Sequence, residues 1–488
     1  MIARRWWLAA AVTLVAWAAL MLTVRRVAPV DLGDDWQGWR QADTAAIARN
    51  FVDEEFAPLA PRIDWRGDGP GYVETELQLY PAVVAALTHG TGALELTAQL
   101  VSLACVVAAC ALLFAALARR FGPAAGYVGL LAALSMQGTV VASTTIQPDP
   151  LAFLAFTIGW LAFLDDLATP SRRALATWIL ATALAGLVKP TTLELGLAQG
   201  AVVLFAHRGA LRRPRLWLGW SAIVAIVVAY LLHARTLYLD HGNTFGVLSG
   251  GDSKLPTAAA LTSFAPWREL ARFTIVWGIG VLAVPAAVYL AARRRLAADE
   301  FALALAAAVL AVFAFRYTSS DFGTHYHLPH LVLGATLVAH AAAVLARPRV
   351  TLAIAALAAA LLTARDLRFV ARQPAQPESI LGAELATLAP PGTLVVVRAR
   401  APGSYAEWHT VNNFQDPRVF YRSRTKGWVV PNDRAGATEV ADAARRGARF
   451  YVHVAQHPID ADLAAWLAAH ARRIYATSAG EIYALDGA

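Results

Sequence analysis

Apolar residues run in long blocks through the first three quarters of the chain and give way to short alternating stretches only after about residue 365. A bilayer core about 30 Å thick is crossed by about 20 mostly apolar residues in a helix. On that spacing the chain predicts about eleven spans, at 6–24, 94–117, 123–141, 149–164, 174–188, 193–207, 217–237, 273–292, 301–315, 328–345 and 351–362. Several fall short of a full crossing, which predicts that one or two are broken or tilted. Beyond the Pro-bearing stretch "RQPAQPES" the pattern changes. "TLVVVRA", "RFYVHVA" and "EIYALD" read as strands, whereas "ATEVADAARRG" and "DADLAAWLAAHARR" read as amphipathic helices. The predicted fold is therefore mainly α: a polytopic transmembrane helix bundle over 1–366, with a long external first loop at 27–80, followed by a small external α/β domain at 367–488.

Composition narrows the class further. Of 488 residues 58% are hydrophobic and 16% charged, and the mean hydropathy is +0.48. A soluble enzyme is excluded by both figures, and a disordered chain by the hydrophobicity. Forty-two Lys and Arg against 34 Asp and Glu give a net charge of +8. The excess is concentrated at alternate connections: Arg4 and Arg5, Arg119 and Arg120, Arg172 and Arg173, Arg208 to Arg215, Arg293 to Arg295, and Arg347 with Arg349. Basic residues near span ends mark the cytoplasmic side, so this pattern predicts an inner-membrane protein with its N-terminus inside and its C-terminal domain periplasmic or external. Arg25 and Arg26 at the far end of the first span oppose that assignment, and the other clusters outweigh them. The charge is thus a topology signal and gives no reason to expect nucleic acid as a partner. Cys105 and Cys110 share one apolar run and lack metal-site spacing. The first apolar segment is longer than a signal h-region and has no small-residue cleavage site, so it reads as a retained span.

Nearly every polar, motif-like segment falls on the predicted external side. The first loop holds Asp31, Asp34, Asp35, Asp43, Asp64, Asp68, Glu74 and Glu76 beside Trp36, Trp39, Trp65, Tyr72 and Tyr80. From Trp39 its pattern is helical, with Arg40, Asp43, Ile47 and Asn50 three or four apart, which predicts an interfacial helix with a carboxylate near its start. Asp149, between Pro148 and Pro150, reads first as a helix cap. Lys189 ends an apolar run and either snorkels to the interface or serves a site. His325 and His327 in "GTHYHLPH" lack the further ligands of a defined metal site and read as lining a wet loop. "FGVLSGGDSK" lacks the P-loop pattern and reads as a mobile loop. "YRSRTKGW" reads as a charged surface strand.

"WRQADTAAIARNF", "PRIDWRGDGPGYVETELQLYP", "QPDPLAF", "GLVKPT" and "DPRVFYRSRTKGW", in that order, resemble the membrane glycosyltransferases of the GT-C class. The similarity is to bacterial proteins of the dolichyl-phosphate-mannose protein mannosyltransferase and aminoarabinose transferase group. The commoner pattern of that group has an Asp-Glu pair at the start of the loop helix. This chain has Arg40-Gln41 there, with acids at Asp34, Asp35 and Asp43. The resemblance implies a GT-C type bundle that transfers a sugar from a polyprenyl-phosphate donor to a glycan, lipid or protein acceptor, with inversion, on the external face.

On that reading a carboxylate accepts the proton of the attacking hydroxyl, with Asp43 the first choice and Asp35 and Asp34 behind it. Asp34 and Asp35 read equally as helix caps. Lys189, Arg66 and Arg316 are the candidates for the donor phosphate, and Arg40, Glu74, Glu76, Asp149, His325 and His327 for substrate. No cofactor is required, and a divalent metal is not predicted because a lysine or arginine can balance a monophosphate. Membrane lipids complete the expected partners. A flippase for lipid-linked saccharides is the rival reading, and it predicts polar groups at mid-membrane and two repeated halves. No repeat is seen here.

Overall fold

The computed structural model describes residues 2–250, 253–345, 347–398, 416–430, 434, 436–455 and 458–485. They divide into two compact units. One comprises 1–29, 99–229 and 253–371, and the other 30–98, 230–252 and 372–488.

The first unit is helical. Six helices among the described residues are long and apolar enough to cross a membrane: Arg4–Val27, Leu94–Phe121, Asp149–Ala168, Pro214–His241, Asp321–Leu345 and Arg349–Ala371. A bent pair, Phe264–Ile279 with Ala283–Ala292, makes a seventh if counted as one span. The protein is thus a multi-pass membrane protein. All eleven apolar segments predicted from sequence are helical, but several are single short helices or are broken. The 123–141 segment ends its first helix, Pro123–Leu134, at Ser135 and restarts as Gln137–Ala142.

The break in the bent pair has an identifiable cause. Its first helix widens into a π-helical turn at Thr274–Ile279 and stops at Gly280, whose φ of +82° is available to glycine. The chain then turns by 95°. The widened turn is packed backbone to backbone. A Cβ on Gly138 would lie 2.2 Å from the Trp277 carbonyl oxygen, and one on Gly334 would lie 1.9 Å from that of Ile279.

The second unit is built on a five-stranded sheet: β1 Leu394–Arg398, β2 Lys426–Val429, β3 Phe450–Val454, β4 Ala471–Thr477 and β5 Gly480–Leu485. Its order is β2-β1-β3-β5-β4. β1 pairs in parallel with β2 and β3, whereas β5 runs antiparallel to β3 and β4. The period of two along each strand sorts side chains between two cores. Val396 and Tyr451 pack with Val440, Leu463 and Leu467 from helices Ala437–Arg445 and Ala461–His470. Val395, Val397, Val452 and Val454 point the other way, into a core that includes Ile47, Phe51, Ile63, Trp65 and Val73 of the first loop.

That second core changes the reading of the loop helix. It spans Gly38–Asp53, and eleven of its sixteen residues are buried, Ile47 and Phe51 among them. The expected helix is present, but its apolar pair faces the core shared with the sheet and not lipid. Three further helices of this unit escaped the sequence pattern, Leu79–Thr91, Pro377–Leu388 and Arg418–Ser423. The second starts inside the presumed linker, with Pro377 in its first turn, where a missing N–H costs nothing.

Candidate functional site

In the second unit the loop helix begins after Gln37, whose φ of +51° is left-handed and whose side chain makes no cap bond. A tight turn brings the chain there. Asp34 and Asp35 donate backbone N–H to the Asp31 carbonyl at 2.9 and 3.1 Å, and a Cβ on Gly38 would meet the Gly33 carbonyl oxygen at 2.2 Å. The acids of this turn have separate tasks. Asp34 Oδ1 accepts the Gln376 N–H at 2.7 Å, at the start of helix Pro377–Leu388. Asp35 accepts the Trp36 N–H at 2.8 Å and the Gln41 side-chain amide at 3.1 Å.

Asp43 lies one turn further on and is 3% exposed. Its Oδ1 accepts the Trp65 indole N–H at 3.0 Å. Its Oδ2 accepts no hydrogen bond among the described residues. Burial pushes its carboxyl well above the usual range, opposed by the Trp65 bond and reinforced by the nearby Asp64 and Asp416 charges. Trp65 is in turn stacked on Phe245, with centroids 6.0 Å apart and planes at 20°.

Phe245 is held by Glu74, a carboxylate with no exposed surface. Glu74 accepts the N–H groups of Leu248 and Ser249 at 2.7 and 3.1 Å and the Thr244 hydroxyl at 3.2 Å. Its backbone carbonyl accepts the Phe245 N–H at 2.9 Å. The glycine-bearing segment after Pro214–His241 is thus strapped to the first loop. Glu76 pairs with Arg40 at 3.3 Å and accepts the Thr75 hydroxyl at 3.0 Å.

Arg66 is engaged with Glu54 and with the Pro70 carbonyl at 2.8 Å. Beside it Asp64, wholly buried, is ion-paired with Arg49 and Lys426 and accepts the Asn50 amide, and these cations hold its carboxyl below the usual value against the cost of burial. Lys426 belongs to "YRSRTKGW", so that motif docks into the first loop rather than forming a free surface strand. Arg418 similarly binds Asp416, Glu378 and the Gly33 carbonyl.

The first unit brings together a second set. Asp149 opens its helix as the first residue after Pro148, and it faces the Lys189 ammonium at 3.7 Å. Lys189 is 5% exposed and does not snorkel. Its ammonium sits 4.9 Å above the Tyr326 ring. Tyr326 stacks on Tyr317 at 5.8 Å, and Lys254 lies 5.8 Å from the Tyr317 centroid. Arg316, adjoining Tyr317, donates to the Ser253 carbonyl at 2.9 Å. Lysines therefore close both ends of a tyrosine pair, a fixed cationic surface suited to a phosphate.

The histidines are not on a wet loop. Residues 323–330 are all buried in a 3₁₀ segment, where His325 meets the Tyr326 ring edge-on at 4.4 Å and His327 reaches the Thr318 carbonyl at 3.0 Å. His330 pairs with Glu194 at 3.1 Å. Among the described residues no three His, Cys, Asp or Glu side chains are grouped to hold a metal ion.

Sequence reasoning missed Trp65, Phe245, Lys254, Glu194 and His330 as members of these sets. Glu194 carried a readable signal, an acid inside an apolar run. The others depend on contacts across long sequence separations.

No protein-family model and no curated protein sequence matches the chain. Solved structures do. ArnT from Cupriavidus metallidurans in the apo state aligns with a TM-score of 0.63 at 16% identity, over 98% of both chains. The same protein bound to undecaprenyl phosphate aligns at 0.64 and 15%, over 96% of this chain and 97% of that one. The Archaeoglobus fulgidus oligosaccharyltransferase in the apo form aligns at 0.50 and 11%, over all of this chain and 75% of its own. The chain has the fold of ArnT, a helical bundle with a C-terminal α/β part, which is the architecture the sequence pattern predicts.

Proposed function

We propose that the protein is a membrane glycosyltransferase that moves a sugar from a polyprenyl-phosphate donor to a hydroxyl or similar nucleophile of a glycan, lipid or protein on the non-cytoplasmic face. The observation that carries this reading is Asp43: a buried carboxylate, held by one indole N–H, with its second oxygen unengaged among the described residues. A raised carboxyl is a stronger proton acceptor than an ordinary one, and a positioned base contributes about 10² to 10⁴ in rate. In the reaction the acceptor oxygen bonds to the anomeric carbon and gives its proton to Asp43. The bond from that carbon to the phosphate oxygen breaks, and the polyprenyl phosphate leaves as an anion with inversion at carbon. Within the helical unit, the residues proposed to hold a lipid phosphate are Lys189, Lys254 and Arg316. The undecaprenyl phosphate bound by ArnT supports a lipid-phosphate donor. Nucleotide sugars are cytosolic, which favours a lipid-linked donor for a site on the other face.

The test is transfer of label from polyprenyl-phosphate sugars by protein in bilayers, comparing the natural chain with Asp43→Asn and Asp35→Asn. Loss with Asp43→Asn while donor binding persists is expected. Loss with Asp35→Asn alone moves the base and keeps the class. A natural chain that transfers nothing yet carries intact lipid across the bilayer overturns the reading in favour of a flippase.

A further inference from the structure

The second unit contains an open cleft of about 690 Å³ that the proposed chemistry does not use. Three guanidinium groups, from Arg49, Arg422 and Arg424, and the His89 imidazole line it against two carboxylates, Asp53 and Glu95. Two of the arginines come from "YRSRTKGW", the motif whose basic residues the Asp64 network absorbs only in part.

The cleft's remaining wall fixes its depth in the membrane. Leu94 and Leu96 line it, and Leu94 is the first residue of Leu94–Phe121, a helix of 28 residues that is long and apolar enough to cross a bilayer. The first turn of such a helix lies at headgroup level. Its N-terminal amides have no partners within the helix, and they add partial positive charge on the side where the arginines stand. Leu87 and Leu96 are 51% and 40% exposed beside this charge, as acyl-chain contacts require.

Arg49 is committed, to Asp64 at 2.6 Å among others, and forms the cleft's fixed wall, whereas Arg422 and Arg424 are held but available. Arg49 is fixed, with its guanidinium 4.9 Å over the Tyr421 ring and an N–H on the Tyr421 carbonyl at 2.8 Å. Tyr421 donates its hydroxyl to Glu95 at 2.8 Å, which occupies one of the two acids. Arg422 pairs with Asp31 at 3.1 Å and Arg424 with Asp53 at 3.0 Å, each arginine about half exposed. Exposed pairs of this kind are weak, and a phosphate offers a bidentate partner that a guanidinium fork fits well.

We propose that this cleft, formed by Arg49, Arg422 and Arg424 at the first turn of the Leu94 span, binds the phosphate of an acidic membrane phospholipid whose acyl chains lie against Leu87 and Leu96. The inference does not depend on the transferase reading, because its readout is lipid binding.

The test uses the full-length protein, delipidated in detergent and titrated with phosphatidylglycerol or phosphatidylcholine. Retained lipid is read by native mass spectrometry and stability by the melting temperature. At least a tenfold preference for phosphatidylglycerol is expected. The paired change Arg422→Gln with Arg424→Asn is expected to abolish the preference. Asparagine is chosen because Arg424 has φ +57°, which it tolerates. Arg445→Gln with Arg473→Gln, which removes two exposed charges elsewhere in the unit, is expected to leave the preference intact. Equal retention of the two lipids overturns the proposal, as does a preference that survives the paired change. Glycerol 1-phosphate, without acyl chains, competing as well as the lipid identifies a soluble phosphate ester as the ligand and overturns it too. That last arm needs only the natural chain and so decides even where the paired variant fails to fold.

Discussion

Asp43 states in one side chain what burial does to a carboxylate. Its native value lies above its unfolded one, so between the two the folded chain binds more protons than the unfolded chain, and stability falls as pH rises from about 4 through the native value. Asp43→Asn has no such charge to form. The melting temperature of the natural chain is therefore expected to drop relative to Asp43→Asn as the pH is raised from 4 to 8; parallel curves mean that Asp43 is not perturbed. The rate should carry the same signature, because the base works only when ionised. The acid limb of the pH–rate profile is expected above the ordinary carboxylate range, whereas a limb near pH 4 assigns the proton elsewhere. Glu74 makes the complementary case, since its two backbone bonds and one hydroxyl bond hold the strap that carries Phe245 onto Trp65. Replacement by Ala strands buried donors at about 1–3 kcal/mol. Amides 244–249 are then expected to exchange with solvent at least tenfold faster, and Trp65 fluorescence to shift, while the helices of the other unit keep their protection.

At the scale of elements, the turn at 31–35 is joined to helix Pro377–Leu388 and helix Arg418–Ser423 through one guanidinium. Arg418 binds Asp416, Glu378 and the Gly33 carbonyl. Breaking a buried ion cluster by removing one partner costs about 3–5 kcal/mol. Arg418→Leu is accordingly expected to lower the unfolding free energy, read from denaturant titration, by that amount, and Arg418→Leu with Glu378→Leu by less; equal losses remove the cluster's role. The sequence held half of this picture. The β-branched and aromatic content of "TLVVVRA" and "RFYVHVA" announced β1 and β3, and their nearly unbroken apolar runs are those of strands covered on both faces. Which elements cover them was not legible, because the partners of Val395 and Val397 lie more than 300 residues away at Ile47 and Phe51. The loop helix showed why. Its apolar residues have the same spacing whether they face lipid or a sheet, so periodicity located the helix and left its environment open. The acids behaved alike: the spacing put Asp43 on a helix, while Trp65, which holds it, is set by a fold-back of the loop. In the bundle, composition found the apolar segments and that some are broken but not where; the break after Ile279 follows from a π-helical turn ending at Gly280, packed on the backbone at Gly138 and Gly334.

For the whole molecule the open quantity is orientation, and the arginine pattern predicts it from charge alone. Basic clusters near span ends resist translocation, and those at Arg4, Arg119, Arg172, Arg208, Arg293 and Arg347 fall on one set of alternate connections, opposed by Arg25 with Arg26, Arg268 with Arg272, and Arg365 with Arg368. Six or seven membrane-length helices, with the shorter apolar helices between them, leave the parity of crossings to experiment, so the charge argument and the structure are independent here. The two natural cysteines are buried, Cys105 at 9% and Cys110 at 0% exposure, which gives a quiet background for labelling. A cysteine at exposed Arg445, in the unit built on the sheet, is expected to react with an impermeant maleimide in intact spheroplasts. A cysteine at exposed Arg294, in a basic cluster between helices of the other unit, is expected to react only after lysis. Both halves follow from one rule, and each can fail alone. Reaction of both from outside means the charge rule has been read across the wrong number of crossings. The reverse pattern puts the sheet unit, and with it Asp43, on the cytoplasmic face, where nucleotide sugars are at hand and the case for a lipid-linked donor loses its topological support.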